Sequence, residues 1–297
     1  MTENQFRWRT LTAEVSDKAS PLRQHLEAHF PNIRPLQDEY KASAGGILVE
    51  RGSAHPGTLG AAFDFAVRFA LDPGYKADIA VIGFMSDRLQ DLAGEVVTVA
   101  KAAQTFSPRS PELMRACWAL ALCTEVFRVG LMAGSPLAQL VEENGLTAAT
   151  LLDLATQDAI DELTALSDVA DEHLVQHVLD KKPLHLGPTF AGSRQCPADA
   201  DLIAGGTLID LKCTVGKKNS AGARYIALDR GVIYQIVAYA LFDYDNAHTI
   251  DSIGLYSARY GHFIQWQLQD ALSTLADRTV SLDGEYRMMQ ELLLRWA

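Results

Sequence analysis

The segment that decides the fold of this 297-residue chain runs Asp199-Ala-Asp-Leu-Ile-Ala-Gly-Gly-Thr-Leu-Ile-Asp-Leu-Lys-Cys213. Two runs of alternating residues flank the pair Gly205-Gly206, and two glycines that tolerate positive φ angles are typical of a two-residue β-hairpin turn. With the turn centred there, Asp201 lies opposite Asp210 on the neighbouring strand. The sequence therefore predicts a tight hairpin on which two aspartates face each other.

The alternation also divides the side chains of the hairpin between two faces, because successive residues of a strand point to opposite sides. One face is uniformly apolar, from Ala200 to Cys213. The other face carries the charged residues and pairs Asp199 with Lys212. We expect the first face to lie in the core and the second to be a charged site, with these members: Asp199, Asp201, Ile203, Leu208, Asp210 and Lys212.

Two carboxylates on directly opposite strand positions repel each other, with Cβ atoms about 5 Å apart. Either one of them is protonated, or both face water, or a cation lies between them. A hard divalent ion such as Mg²⁺, or Mn²⁺, accepts carboxylate oxygens and keeps several waters, which suits Asp201 and Asp210. Lys212 extends from the same face, where an ammonium can orient an attacking water and offset negative charge on a phosphate.

Outward from the hairpin, the chain is helical before it and mixed after it. A helix is predicted over Gly231–Tyr244 and another over Asp270–Ala297, and the strands are predicted at Leu184–Phe190, Asp199–Ala204, Thr207–Cys213, Ile250–Ala258 and Phe263–Leu268. Before Lys181, apolar periodicity and capping residues indicate helices at 22–30, 58–71, 79–104 and 111–133, and shorter ones within 137–179. The predicted fold class is α+β (mixed α/β): a mainly helical region, 1–180, precedes a sheet-containing region, 181–297, to which residues 57–71 contribute a first core helix.

The composition excludes several classes of protein. Lys and Arg number 26 against 37 Asp and Glu, a net charge of −11, whereas proteins that coat DNA or membrane surfaces nonspecifically are usually basic. No uncharged apolar run approaches the length of a membrane span, and the first 15 residues lack the apolar block of a signal peptide. The four cysteines lack CxxC spacing, so we expect neither a structural zinc site nor a disulfide framework, and a reducing cytoplasm as the location.

The charged residues of the hairpin also match a family pattern. Asp201, then the turn, then Asp210-Leu211-Lys212 resembles the D…(D/E)xK signature of the PD-(D/E)XK nuclease superfamily. On the helix that follows, Gln235-Ile-Val-Ala-Tyr239 resembles the QxxxY motif of the RecB-like exonuclease branch, and its two polar residues share one helical face. The order strand, strand, helix, strand matches the superfamily core, and the resemblance covers about residues 184–268.

The resemblance implies a restriction-endonuclease-like core sheet flanked by helices, with the large helical N-terminal region packed on it. It implies a metal-dependent nuclease that hydrolyses DNA phosphodiester bonds, in bacterial defence or DNA processing. Asp201, Asp210 and the backbone carbonyl of Leu211 would hold Mg²⁺ or Mn²⁺, Lys212 would serve the water, and Gln235 and Tyr239 would position the nucleic acid strand. Because the chain is acidic, we expect a protein partner or a homo-oligomer to supply targeting, and DNA is favoured over RNA.

The sequence leaves open which residue would serve as the metal ligand that this family carries upstream of the hairpin. RecB-like enzymes carry a His or Glu on an earlier helix, often after Gly-Thr. Gly57-Thr58 opens such a helix here, but Ala61 stands where His is expected. The candidates are Asp64 and Glu125. Each also has an ordinary explanation in a helical ion pair, with Arg68 and Arg128 respectively.

The open ligand keeps an alternative function in view, a catalytically weak or inactive member of the fold that binds nucleic acid or assembles into a larger complex. A binder has no need of Lys212 and both carboxylates together. Four cations after the hairpin fit either phosphate contacts or ordinary loop charges: Lys217, Lys218, Arg224 and Arg230. The pair His173 and His177 has metal-capable spacing, but its acidic neighbours indicate a solvated helix face.

Overall fold

Helices make up the regular structure of the chain before Lys181. The computed structural model describes residues 7–82, 86–143 and 145–296. Within these residues the helices are α1 (Leu11–Ser16), α2 (Pro21–His29), α3 (Arg34–Ser43), α4 (Pro56–Leu71), α5 (Asp78–Val81), α6 (Asp87–Phe106), α7 (Pro111–Val129), α8 (Pro136–Glu142), α9 (Ala148–Leu152), α10 (Gln157–Ala170) and α11 (Gln176–Val178), a π-helical turn joining the last two.

Strands and further helices follow Lys181. The strands are β1 (Leu184–Leu186), β2 (Leu202–Ala204), β3 (Thr207–Lys212), β4 (Lys217–Lys218), β5 (Arg224–Tyr225), β6 (Ser252–Ser257) and β7 (His262–Gln267). The helices are α12 (Arg230–Phe242), which separates β5 from β6, and α13 (Leu268–Ala276) and α14 (Leu282–Arg295), which end the chain. The mixed α+β class predicted from the sequence is confirmed.

The main sheet has five strands in the order β1-β2-β3-β6-β7, and a separate two-stranded sheet pairs β4 with β5. In the main sheet β3 and β6 are parallel and every other neighbouring pair is antiparallel. The connection from β3 to β6 carries the small β4–β5 hairpin and then α12, because parallel neighbours need a crossover rather than a tight turn. The central strand β3 is therefore paired along both edges.

Hydrophobic clusters cover both faces of the main sheet. Leu202 and Ile209 pack into a cluster with α4, α6, α7 and α10, whereas Ile203 and Leu208 pack into a second cluster with α1–α3 and α12–α14. The face that carries the charged residues is therefore core next to the turn, where helices from both ends of the chain bury Ile203 and Leu208, and polar at the open end of the hairpin. The expectation that the whole face would be a charged site is wrong.

Both clusters draw residues from before and after Lys181. Helices α1–α3 pack with α12–α14, and α4 reaches the sheet, where the ring of Phe63 stacks on that of Tyr256 with centroids 6.4 Å apart. Aromatic pairs at this separation add to the stabilisation from buried area. The helical region thus contributes to both sides of the sheet.

Several helices and strands have other boundaries than those predicted from the sequence. The long helix expected over 79–104 is two helices, α5 and α6, and the strand expected over Leu184–Phe190 is only three residues long. Helix α7 begins as predicted after the N-cap Ser110, but it ends at Val129 before Gly130 rather than before Gly134. No helix in the described part of the chain has both the length and the apolar character needed to cross a membrane.

Candidate active site at the end of the β2–β3 hairpin

The hairpin turn has the geometry that its glycines predicted. Gly205 and Gly206 have φ angles of 56° and 83°, as a two-residue turn with both central residues at positive φ requires. The strand register also matches the prediction, since Leu202 faces Ile209 and Ala204 faces Thr207. This register places Asp201 and Asp210 at the open end of the hairpin.

The antiparallel ladder stops before the charged residues. Asp201 lies just outside β2, where its carbonyl accepts a hydrogen bond from the Gly187 amide at 2.9 Å, and Asp199 forms a bridge with Thr189. The carboxylate of Asp201 instead reaches across, and its Oδ2 accepts a hydrogen bond from the Leu211 amide at 2.6 Å. A carboxylate thus replaces the next ladder bond at the point where the two strands separate.

Asp210 and Lys212 form the centre of the site. Both lie on β3, two residues apart and on one face, with Lys212 Nζ 2.7 Å from Asp210 Oδ2. The Asp210 side chain is 4% exposed and that of Lys212 23%, so the pair is open to solvent only from the lysine side. A carboxylate has about four lone-pair sites, so Asp210 keeps capacity for a further ligand beside its contact with Lys212.

Burial and charge shift the pKa values of this pair. Burial raises the pKa of Asp210 to about 6; the ammonium of Lys212 opposes the rise, and the carboxylate of Asp201 adds to it. Burial lowers the pKa of Lys212, but the carboxylates of Asp210 and Asp201 outweigh burial and raise it overall. The lysine is therefore a cation at neutral pH, held among carboxylates that are costly to ionise together.

Helix α12 contributes the two residues of the QxxxY motif. Gln235 Oε1 accepts a hydrogen bond from Lys212 Nζ at 3.3 Å, and Gln235 Nε2 donates to the Tyr239 hydroxyl at 3.1 Å. Burial raises the pKa of Tyr239 well above its ordinary value, and Asp210 adds to the rise. A continuous chain of contacts thus runs from Asp210 through Lys212 and Gln235 to Tyr239, which brings the predicted residues of strand and helix together.

Helix α4 brings Asp64 towards the hairpin. Burial raises the pKa of Asp64, Arg68 opposes the rise, and the nearby carboxylate of Asp201 adds to it. Arg68 holds both carboxylate oxygens, with Nε 2.8 Å from Oδ1 and Nη2 2.6 Å from Oδ2. A Cβ on Gly187 would lie 2.5 Å from Arg68 Nη1, so a glycine at that position allows the guanidinium to approach the hairpin. Asp64 is thus beside the site, but its oxygens are engaged.

Glu125 does not form the ion pair that helical spacing suggested. Arg128 instead reaches Asp199, with Nη2 3.0 Å from Oδ2, so the end of α7 is tied to the segment that precedes the hairpin. Glu125 is half-buried and lies one helical turn before Arg128. The carboxylate of Asp201 helps to raise the pKa of Asp64, which places this candidate for the upstream acid beside the hairpin.

Sequence reasoning missed Arg259. This residue follows β6 and is 2% exposed. Its Nε donates to the Cys213 carbonyl at 2.8 Å, directly after Lys212, and its Nη2 lies 2.5 Å from Glu162 Oε1 on α10. Arg259 therefore fixes the end of β3. The available signal was a guanidinium within the apolar run from Ile253 to Tyr260, because a charge there must be buried with partners.

The residues present fit a divalent ion held by two carboxylates and a carbonyl. Among the described residues, no three side chains of His, Cys, Asp or Glu converge as metal ligands. Asp201 and Asp210 remain, opposite each other at the open end of the hairpin, each with carboxylate lone pairs that its contact to the Leu211 amide or to Lys212 does not use. The N–H and C=O of one strand residue point to the same edge, so the Leu211 carbonyl faces the edge on which Asp201 binds the Leu211 amide. Such an oxygen set suits Mg²⁺ or Mn²⁺, which keep several waters.

Comparison of the chain with protein-family models, with curated proteins and with solved structures gives no match.

Proposed function

We propose that this protein is a Mg²⁺- or Mn²⁺-dependent nuclease that hydrolyses DNA phosphodiester bonds, with a core of the PD-(D/E)XK type. The observation that carries the proposal is the connected group of Asp201, Asp210, Lys212, Gln235 and Tyr239 at the open end of the hairpin. Two carboxylates beside a half-buried lysine are costly to assemble, and such perturbed groups concentrate at functional sites.

Asp201, Asp210 and the Leu211 carbonyl are the groups that would hold the ion. When bound, the ion supplies Lewis acidity and lowers the pKa of a coordinated water. Lys212, a cation held by Gln235, donates hydrogen bonds to the phosphate and stabilises the negative charge that develops on its oxygens. Tyr239, with its raised pKa, stays protonated and keeps Gln235 oriented towards the lysine.

The cellular setting belongs to the same proposal. A chain with a net charge of −11 gains little from long-range attraction to DNA, so a protein partner or a second copy supplies targeting. The four cysteines are free thiols, which fits the reducing cytoplasm. DNA is preferred to RNA as the substrate.

Cleavage of labelled DNA in Mg²⁺ and in Mn²⁺ tests the proposal. Wild type should cleave only with the metal, and Lys212→Ala should lower kcat by about 10²- to 10⁴-fold, the range for a group acting directly on the reacting atoms. Lys181→Ala, at an exposed lysine beside the hairpin turn, should leave the rate unchanged and serves as the matched control. Equal cleavage by wild type and Lys212→Ala would overturn the mechanism.

The alternative, a binding or assembly module of the same fold, is favoured by one observation. Arg68 occupies both oxygens of Asp64, so the upstream acid is not open to a metal. Under that alternative, wild type binds DNA with equal affinity in Mg²⁺ and in EDTA and cleaves it in neither. DNA cleavage that requires the metal and Lys212 excludes this alternative.

A further inference from the structure

The segment from Thr214 to Leu228 follows the candidate site directly and joins β3 to α12, with Ile226 and Leu228 buried in the core. It contains β4 and β5, paired in antiparallel fashion, and is called the basic arm here. Its 15 residues include Lys217, Lys218 and Arg224 and no acid, in a chain whose net charge is −11. Both lysines are exposed. The arm is thus a local cationic element on an acidic protein.

The basic arm is anchored to the rest of the fold. The Tyr260 hydroxyl donates to the Val215 carbonyl at 2.9 Å, and Lys41 Nζ lies 4.9 Å from the centre of the Tyr225 ring. Gly216 has a φ angle of +69°, and a Cβ there would lie 2.2 Å from the Tyr225 carbonyl oxygen, so only glycine fits the turn into β4. The arm therefore leaves the sheet in a defined direction.

The tip of the arm is also ordered by its own hydrogen bonds. Asn219 Oδ1 accepts from the amide of Ala221 at 3.0 Å and from that of Ala223 at 2.9 Å. These bonds close the turn between the two short strands. Cations on a preorganised turn lose less side-chain and backbone freedom on binding than cations on a loose loop.

The arm lies within reach of a nucleic acid strand that passes over Lys212. Lys217 and Lys218 lie five and six positions after Lys212, which limits their Cα atoms to about 17 and 20 Å from that of Lys212. Phosphates follow each other every 3.4 Å or so along the axis of a DNA strand. Both lysines therefore lie within about six nucleotides of the phosphate at the candidate site.

Two acids face the arm from neighbouring elements. Lys217 Nζ is 2.7 Å from Asp229 Oδ1, and Arg224 Nε is 3.6 Å from Glu50 Oε2. The first pair is exposed on both sides, and exposed ion pairs contribute little to stability. A phosphate, which accepts several charge-assisted hydrogen bonds, competes with such pairs. Within the described residues, Lys218 forms no ion pair of this kind, whereas Lys217 and Arg224 do.

We propose that the basic arm binds the phosphodiester backbone of the DNA substrate beside the bond that is cleaved, an inference that rests on the proposed function. The arm contacts phosphates rather than bases, so it sets affinity and register without reading sequence. It also gives an acidic protein a local means of holding a polyanion next to its carboxylates.

Binding of a fluorescent DNA duplex and of its single strand, in EDTA over a series of salt concentrations, tests this proposal. The test variant is Lys217→Ala/Lys218→Ala. The matched control is Lys181→Ala/Lys182→Ala, a second exposed lysine pair, which lies beside the turn residue Gly205 at the opposite end of β3. Neither pair belongs to the site that performs the chemistry.

The arm variant should bind more weakly, and its slope of log affinity against log salt should be shallower by about 1.8 for the duplex and about 1.4 for the single strand, the loss of two phosphate contacts. The control should keep the wild-type slope. Equal slopes for wild type and the arm variant would overturn the arm proposal and leave metal-dependent cleavage standing. A shallower slope for the arm variant in a protein that never cleaves would support the arm and refute the nuclease.

Discussion

Two ion pairs lie close to each other at the end of β3 and differ in how many segments of the chain their cation holds together. In the Arg259 cluster, the guanidinium of Arg259 contacts Glu162 and donates to the carbonyls of Cys213 and Glu50. In the Lys212 cluster, the ammonium of Lys212 contacts Asp210 on its own strand and Gln235 on α12.

The difference follows from the chemistry of the two cations. A guanidinium is planar, always charged and presents five donors in a fixed fork, so Arg259 can tie three segments together. An ammonium is a compact charge on a flexible stem, so Lys212 can turn from Asp210 to a ligand. The Arg259 cluster therefore holds the end of the strand in place, and the Lys212 cluster is the one to which the proposed function assigns the substrate and the ion. Substitutions at three positions test this distinction.

The largest effect on stability is expected for Glu162→Ala. It leaves the charge of Arg259 buried without its carboxylate, and breaking a buried pair in this way costs about 3–5 kcal/mol. Urea unfolding should show this loss in the free energy of unfolding. Asp38→Ala, which removes an exposed pair with Arg34 on α3, should change it by less than about 0.5 kcal/mol.

Glu162→Gln refines this first test, because the amide oxygen still accepts a hydrogen bond from Arg259. It should cost clearly less than Glu162→Ala. If Glu162→Ala were as stable as Asp38→Ala, the Arg259 cluster would not be the structural anchor inferred here.

A smaller, pH-dependent effect is expected for Asp210→Asn. Because the pKa of Asp210 is raised to about 6 in the folded state, the folded protein binds more protons than the unfolded chain between about pH 4 and pH 6. The stability of wild type in EDTA should therefore fall as pH rises through this window, by about 1–3 kcal/mol from this group. The asparagine variant should lack this part of the slope.

Thermal unfolding at pH 4.5 and pH 7.5 gives the comparison, with wild type and Asp210→Asn measured in parallel. The control is Asp229→Asn, which changes an exposed acid directly after the basic arm. It should keep the wild-type dependence of stability on pH. A wild-type slope equal to that of Asp210→Asn would show that Asp210 ionises in the folded protein as easily as in the unfolded chain.

The smallest effect is expected for Gln235→Ala. Its amide links Lys212 to Tyr239 but lies half-buried, and water can replace part of what it provides. Cleavage should slow by about tenfold, and stability should fall by about 1 kcal/mol, the worth of a hydrogen bond of this kind. Gln157→Ala, at an exposed i,i+4 amide–carboxylate pair on α10, should change neither. Unchanged cleavage by Gln235→Ala would remove α12 from the site.

Local signals in the sequence were sufficient to predict the hairpin and to place its charged residues along it. The two glycines predicted the turn, the alternation predicted the register, and the spacing of Gln235 and Tyr239 placed both on one face of α12. Each of these inferences depends on residues within a few positions of each other or on a regular period. That α12 meets the end of β3 was an expectation carried by the resemblance of the two motifs, and the hydrogen bond from Lys212 Nζ to Gln235 Oε1 joins the two elements.

The remaining features depend on contacts between distant segments. Alternation does not show that Ile203 and Leu208 are covered by helices from both ends of the chain. Spacing suggested a partner for Glu125 on its own helix, but Arg128 reaches a residue 71 positions later in the chain. The β4–β5 pair is too short to give a periodic signal. Arg259 could be recognised only as a charge within an apolar run.

The most direct test of the central claim is a calorimetric titration of the apoprotein with Mn²⁺ at pH 7.5. Wild type should bind the ion stoichiometrically, Asp210→Ala should not, and Asp229→Ala should bind as wild type does, because only Asp210 lies opposite Asp201 at the open end of the hairpin. Equal Mn²⁺ binding by wild type and Asp210→Ala, or no binding by wild type even with DNA present, would contradict a metal site between these carboxylates.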